Sequence, residues 1–196
     1  MPVQVTALRA PRPGRVAVEL DGASWRTLPT EPVVCAGLRV GCELDRPTAR
    51  LLRRELRRAE ALAVAGRSLR ARDISVQALE ERLERSGVPR ELRRDVVRAL
   101  EGAGIVDDRR FATARAAALA GRGYGDAAIA ADLDRRGIAA DLRADALAAL
   151  APEAERAREA AAERGRGAKT ARFLASKGFG EEAIEAALGA DFANSP

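Results

Sequence analysis

The sequence predicts a mainly all-α protein: three tandem three-helix repeats in an elongated, curved array, preceded by a small N-terminal segment containing a β-hairpin. Three observations lead there. Of the 196 residues 47% are hydrophobic, much of that alanine, and only 3% are aromatic. Such a chain forms helices readily but buries few large side chains per helix, which suits thin helices packed on their neighbours better than one thick core. The pattern of apolar residues also changes near residue 45, from alternation to helical spacing. Finally, one short phrase is written three times: LERSGV (Leu83–Val88), LDRRGI (Leu133–Ile138) and LASKGF (Leu174–Phe179).

Taken in order, residues 1–45 read as a β-rich head. Val16, Val18 and Leu20 alternate, Asp21-Gly22 is a hairpin turn signal, and ASWRTL returns as the second strand. The run Val3 to Leu8 supplies a third strand, and Pro32 to Ala36 forms one helical turn stopped by Gly37. Trp25 is expected in the core of this head. Asp45 then caps a long helix opening at Arg46-Pro47, with Leu51, Leu52, Leu56, Leu62 and Leu69 as its apolar stripe. Ser75 caps a second helix that ends before Gly87, and a third carries Leu92, Val96 and Leu100 on one face, ending near Gly102 or Gly104.

A shift of fifty residues then superposes Leu69, Arg72, Leu83, Gly87, Leu92 and Leu100 on Leu119, Arg122, Leu133, Gly137, Leu142 and Leu150, with Leu79 on Ile129 and Val88 on Ile138. A further forty-one carries Leu133, Gly137 and Ile138 to Leu174, Gly178 and Phe179. Arg122-Gly123 meets Arg164-Gly165 with a slip of one residue. The units are therefore 46–106, 107–151 and 152–196, the last the most diverged, as expected of a terminal repeat. The recurring glycine ends the second helix of each unit, the apolar residue after it tucks back, and the leucine four before it anchors that helix.

Chemistry is scarce. Histidine is absent, and Cys35 and Cys42 are the only cysteines, so neither a zinc site nor a histidine-based active site can be built. Two thiols in an early segment fit a reducing cytoplasm. The N-terminus lacks the apolar stretch of a signal peptide, and no run is apolar enough to span a membrane. Asp107-Asp108, the most conspicuous carboxylate pair, sits where a helix N-cap belongs, and capping accounts for at least one of the two. Gly121, Gly123 and Gly125 spell G-x-G-x-G but lie between two helices, outside the strand–helix setting of a nucleotide loop. No catalytic residue, cofactor or metal ligand is expected.

The cations are more informative. The formal charge is +5, the pI is near 10.1, and all cationic side chains but Lys169 and Lys177 are arginines, whose planar forks suit phosphates and carboxylates. Arg50, Arg54 and Arg58 fall on one line of the first long helix with Arg53 and Arg57 beside it. Arg72, Arg122 and Arg164 each stand where the first helix of a unit ends. There a cation complements the helix dipole by about 0.3–1 kcal/mol, and stacked units would also align the three as a cationic ladder. Lys169, Arg172 and Lys177 form a further cluster. Such a surface could face nucleic acid or an acidic protein. The helical part offers only Phe111, Tyr124, Phe173, Phe179 and Phe192 for base stacking, several of them at helix-packing positions.

GIVDDRRFA (Gly104–Ala112), RGYGDAAIAADLDRRGI (Arg122–Ile138), KTARFLASKGF (Lys169–Phe179) and LRARDISVQALEERLERSGV (Leu69–Val88) resemble the hallmark segments of the RecX family of bacterial regulatory proteins, as do VELDGASWRTLP and GLRVGCELD in the head. The resemblance implies three tandem three-helix repeats and a non-enzymatic role: binding the RecA recombinase on single-stranded DNA, in homologous recombination and DNA repair, and restraining its ATPase, strand exchange and SOS co-protease activities. It gives the arginines a partner, the RecA filament. On this reading the protein is cytoplasmic and monomeric and meets single-stranded DNA through the filament or weakly by itself. The contact candidates are Arg50, Arg53, Arg54, Arg57, Arg58, Arg72, Arg122, Arg164, Lys169, Arg172 and Lys177. A basic protein that occupies single-stranded DNA directly is the alternative.

Overall fold

The computed structural model describes residues 3–71 and 73–189. Arg72, Phe192 and the C-terminal tail thus lie outside the described residues. The chain folds as two compact units, one of residues Met1–Arg72 with Glu80–Ala99, the other of Asp73–Leu79 with Leu100–Pro196.

In the first unit β1 (Val5–Arg12), β2 (Arg15–Leu20) and β3 (Ala23–Pro29) form an antiparallel meander in that order. Asp21 and Gly22 both take positive φ between Leu20 and its partner Ala23, the left-handed pair that a two-residue hairpin needs. Trp25 departs from expectation. Pairing steps from Val18–Arg26 to Glu19–Ser24, so Trp25 is the extra residue of a β-bulge and stands 39% exposed. The core is instead Val5, Val18 and Leu28, closed by Val33 of α1 (Thr30–Cys35) and by Leu52 of α2 (Arg46–Ala71). The head therefore covers the start of the first long helix.

That helix begins as its sequence requires: the Thr48 amide donates to Asp45 Oδ1 at 2.8 Å. This capping, from Thr48 side chain and backbone, holds the Asp45 carboxyl below its usual range. Leu52 is buried and Leu56, Leu62 and Leu69 half-buried, but Leu51, expected in the same stripe, is exposed. A residue next to the buried line is turned about 100° around the axis, and here Ala61 and Ala65 fill the contact instead. α3 (Val76–Arg85) and α4 (Arg90–Gly102) complete the first triplet.

The second unit contains α5 (Asp108–Ala120), α6 (Asp126–Asp134), α7 (Ala140–Ala148), α8 (Glu153–Ala161), α9 (Ala168–Ser176) and α10 (Glu181–Leu188). Its two triplets have separate small cores, Ala112, Ala116, Leu119, Ile129, Leu133 and Ile138 in one, Ala157, Leu174, Phe179 and Leu188 in the other. Alanine lets the helices approach closely, and among the few large residues are those of the recurring phrase: Leu83, Leu133 and Leu174 are wholly buried. The phrase is a Schellman end. The amides of Val88, Ile138 and Phe179 donate to the carbonyls of Leu83, Leu133 and Leu174 at 3.0, 3.2 and 3.2 Å across glycines of φ +75, +74 and +82.

In the second unit that glycine also stacks one triplet on the previous one. A Cβ on Gly178 would lie 2.6 Å from Ala128 Cβ on α6, and one on Gly137 would overlap the Gln77 side chain on α3, whereas at Gly87 nothing lies within 4 Å. Gly125 makes the reciprocal approach, its amide donating to the Lys177 carbonyl at 3.0 Å while Ala127 donates to Gly178 at 3.1 Å. Carboxylates finish each joint. Asp108 accepts from the Val76 amide at 2.8 Å, and Glu153 accepts from the Asp126 amide at 2.6 Å and from Gly180 at 3.3 Å. The first helix of a triplet thus caps the second helix of the one before.

Candidate interaction sites

Arg50, Arg53, Arg54, Arg57 and Arg58 come together. Their spacing of three and four residues lines them along roughly 12 Å of one face of α2. There they form one wall of an open groove of about 680 Å³ whose other wall is Pro89, Glu91, Leu92 and Asp95 at the start of α4. Arg53 donates to the Ala49 carbonyl at 3.2 Å, and Arg54 makes only a long 3.4 Å contact with its neighbour Glu55. Among the described residues Arg50, Arg57 and Arg58 enter no ion pair. Glu91 and Asp95 lie one helical turn apart, with Leu92 between them as an apolar foothold. The groove can therefore take a partner that presents acid to α2, base to α4 and an apolar group between.

A second grouping lies in the second unit. Arg122 and Arg164 do follow the ends of α5 and α8, each in a turn closed by a left-handed glycine, Gly123 or Gly165. The Arg164 guanidinium stacks 3.8 Å from the centre of the Phe173 ring, and Arg122 lies 5.8 Å from that of Tyr124. Lys177 bridges the two, its ammonium 4.3 Å from Tyr124 and 5.9 Å from Phe173. None of these three cations is in an ion pair among the described residues. Lys169 and Arg172 are exposed on α9 outside this arrangement, and Arg72 falls outside the described residues.

The carboxylates are structural in their contacts. Asp107 accepts from the Arg110 amide at 3.0 Å as the N-cap of α5, a bond that holds its carboxyl low. Burial pushes the Asp108 carboxyl up, opposed by the bond from Val76. Asp132 accepts from Arg115 Nε at 2.8 Å and Nη2 at 3.1 Å, and from Arg136 Nε at 2.8 Å, which drives its carboxyl far below the usual range. Among the described residues no group of three or more histidine, cysteine, aspartate or glutamate side chains could hold a metal ion. No described helix is long and apolar enough to cross a membrane.

Two features escape a reading of the sequence alone. Arg67 of α2 and Arg82 and Arg85 of α3 line a further small hollow with Ser68 and Ser86; only the pairing of the two helices brings them together. Arg93 and Arg143, fifty residues apart, each bridge to an acid at the end of the preceding helix, Glu84 at 3.0 Å and Asp134, and donate to the carbonyls of Val88 and Ile138 at 3.2 and 3.0 Å. The signal was present in the fifty-residue register, as Glu84 over Asp134 and Arg93 over Arg143.

A β-headed chain of stacked three-helix repeats with cationic surfaces has the architecture of a helical-repeat protein. Residues 107–147 match the family model described as RecX, second three-helix domain. The fold resembles that of a crystal structure of regulatory protein RecX, with a TM-score of 0.82 at 21% identity, over 94% of this chain and 98% of that one. It also resembles RecX from Lactobacillus salivarius, with a TM-score of 0.60 at 16% identity, over 66% of this chain and 92% of the other. No curated protein matches the sequence. Residues 107–147 thus carry the pattern of a RecX three-helix domain, and the fold of the chain is shared with RecX crystal structures.

Proposed function

We propose that the protein is a non-catalytic regulator that binds RecA and its single-stranded DNA filament and restrains the recombinase, ATPase and SOS co-protease activities. The repeats, taken as 46–106, 107–151 and 152–196, are the binding modules, and the head of residues 1–45 supports the first of them. The observation that carries this reading is the groove between α2 and α4, where five arginines stand on one wall and four of them have no ion-pair partner among the described residues. Desolvating that many unpaired guanidiniums is favourable only against an anionic surface. The mixed opposite wall, Glu91, Leu92 and Asp95, favours a protein surface over a uniform polyanion.

Charge reversal tests it. The double variant Arg54→Glu/Arg58→Glu should weaken binding to the assembled RecA filament by at least about tenfold at low salt and flatten its salt dependence, since each close charge pair lost costs on the order of 1 kcal/mol or more. Unchanged binding and salt dependence would show that the groove is not the contact. The second reading, a protein that acts by occupying bare single strands, is favoured by the cationic cluster around Tyr124 and Phe173. It requires tight, steeply salt-dependent DNA binding without RecA.

A further inference from the structure

We infer that Arg122, Lys177 and Arg164 form a discrete phosphodiester site of the second unit, which holds a single nucleic-acid strand by its backbone and not by its bases. The inference deepens the function proposed above by assigning the strand to this cluster, and it rests on that reading only for which strand is met in the cell.

The argument begins with what fixes the cations. An arginine or lysine that is held in place by a carboxylate has its charge largely cancelled by it. Here the holders are aromatic rings: Phe173 under Arg164 at 3.8 Å and Tyr124 under Lys177 at 4.3 Å, with Arg122 at 5.8 Å from the same ring. A ring face orients a cation with about 0.5–1 kcal/mol at an exposed site and leaves its full charge available. Lys177 is half-buried and lies within reach of both rings, which brings all three charges to one patch where the turn after α5, the turn after α8 and the end of α9 meet. Three uncompensated positive charges so placed repel one another, and an anion relieves that repulsion. Both turns are glycine-rich, Gly121, Gly123 and Gly125 on one side and Gly165 and Gly167 on the other, so few side chains screen the cations from a backbone lying across them.

The same geometry decides which part of a strand is held. Ring faces covered by cations are closed to base stacking, the usual way to grip a single strand. What remains open to a ligand is positive charge, so phosphate is gripped and the bases are left free. A strand held in that way keeps its bases available for pairing.

The test uses the full-length protein alone and a short fluorescent oligo(dT). Three phosphate contacts on a single strand contribute a slope of about −2 to log K against log salt, and about 100-fold in affinity near 0.1 M salt. The variant Arg122→Gln/Arg164→Gln/Lys177→Gln should lose that much slope and affinity, with its thermal unfolding checked in parallel. The charge-keeping variant Arg122→Lys/Arg164→Lys should retain most of both. If the triple variant unfolds, Arg122→Gln alone, on an exposed turn, should show about a third of the slope change. Unchanged slope in the triple variant overturns the inference, as does a wild-type protein that binds no oligo(dT) at low salt. Neither result touches filament binding through the groove. Conversely, a protein that binds oligo(dT) through the cluster but ignores RecA would refute the proposed function and leave the cluster assignment standing.

Discussion

Replacing Gly125 with alanine adds one methyl group to a residue whose backbone, at φ −82° and ψ 171°, any amino acid can adopt. On conformational grounds alone that change should stabilise, because alanine restricts the unfolded chain by about 0.4–1 kcal/mol. The added Cβ would instead lie 2.3 Å from the Phe179 amide nitrogen and 2.4 Å from the Gly178 carbonyl carbon, both of them backbone with no flexible end to swing away. Relief requires α6 and the α9–α10 turn to part, which breaks the Gly125–Lys177 and Ala127–Gly178 hydrogen bonds. Overpacking costs about 1–3 kcal/mol and each hydrogen bond about 1 kcal/mol, so after the gain from alanine the net loss is about 2–4.5 kcal/mol. Gly123, two residues earlier, is the opposite case: φ is +75° and nothing lies within 4 Å of its virtual Cβ. Gly123→Ala therefore loses only about 1–2 kcal/mol from its left-handed backbone. Urea unfolding followed by far-ultraviolet circular dichroism compares the two within one unit. Equal losses, or a Gly125→Ala variant as stable as wild type, would refute the stacking of the third triplet on the second through this glycine.

The joints make further predictions. Asp108→Asn, which keeps an acceptor for Val76 and removes a charge that burial disfavours, should be close to neutral at pH 7, whereas Asp108→Ala should cost about 1 kcal/mol as a lost cap; thermal unfolding separates them. Because burial raises the Asp108 carboxyl, its charged form opposes folding, so any advantage of Asn over Asp should appear as pH rises through the folded value and vanish below the unfolded one. Asp132 has the reverse sign. Its carboxyl is depressed by Arg115 and Arg136, so its contribution is fully present above the ordinary aspartate range and is lost as pH falls below it. Asp132→Asn should thus cost about 2 kcal/mol at pH 7, and the difference from wild type should shrink in acid-titrated denaturation curves. Arg143→Ala, which removes the bridge to Asp134 and the bond to the Ile138 carbonyl, should cost about 1 kcal/mol.

Much of the fold was legible because it depends on local rules. Caps at Asp45, Ser75 and Asp107, the Asp21-Gly22 hairpin and the three glycine-ended helices stand where their residue types put them. What could not be read depends on neighbours. Trp25 looks like a core residue by size, and only the register slip between β2 and β3 turns it outward. The recurring glycines announce a left-handed turn, but only the stacked triplets reveal that Gly137 and Gly178 also make room for α3 and α6, a demand absent at Gly87. The same division holds for the sites. Helical spacing was enough to group the five arginines of α2, since they share one element. The association of Lys177 with Tyr124, fifty-three residues away, and of Arg67 with Arg82 and Arg85 required tertiary structure.

The most direct test is the single-strand-dependent ATPase of the cognate RecA titrated with this protein, beside the protein's own affinity for the same DNA without RecA. A regulator that reads the filament inhibits at concentrations well below those that coat bare DNA, and the Arg54→Glu/Arg58→Glu variant loses that inhibition. Inhibition that begins only where the protein saturates the DNA by itself would contradict this account and leave simple competition for the strand in its place.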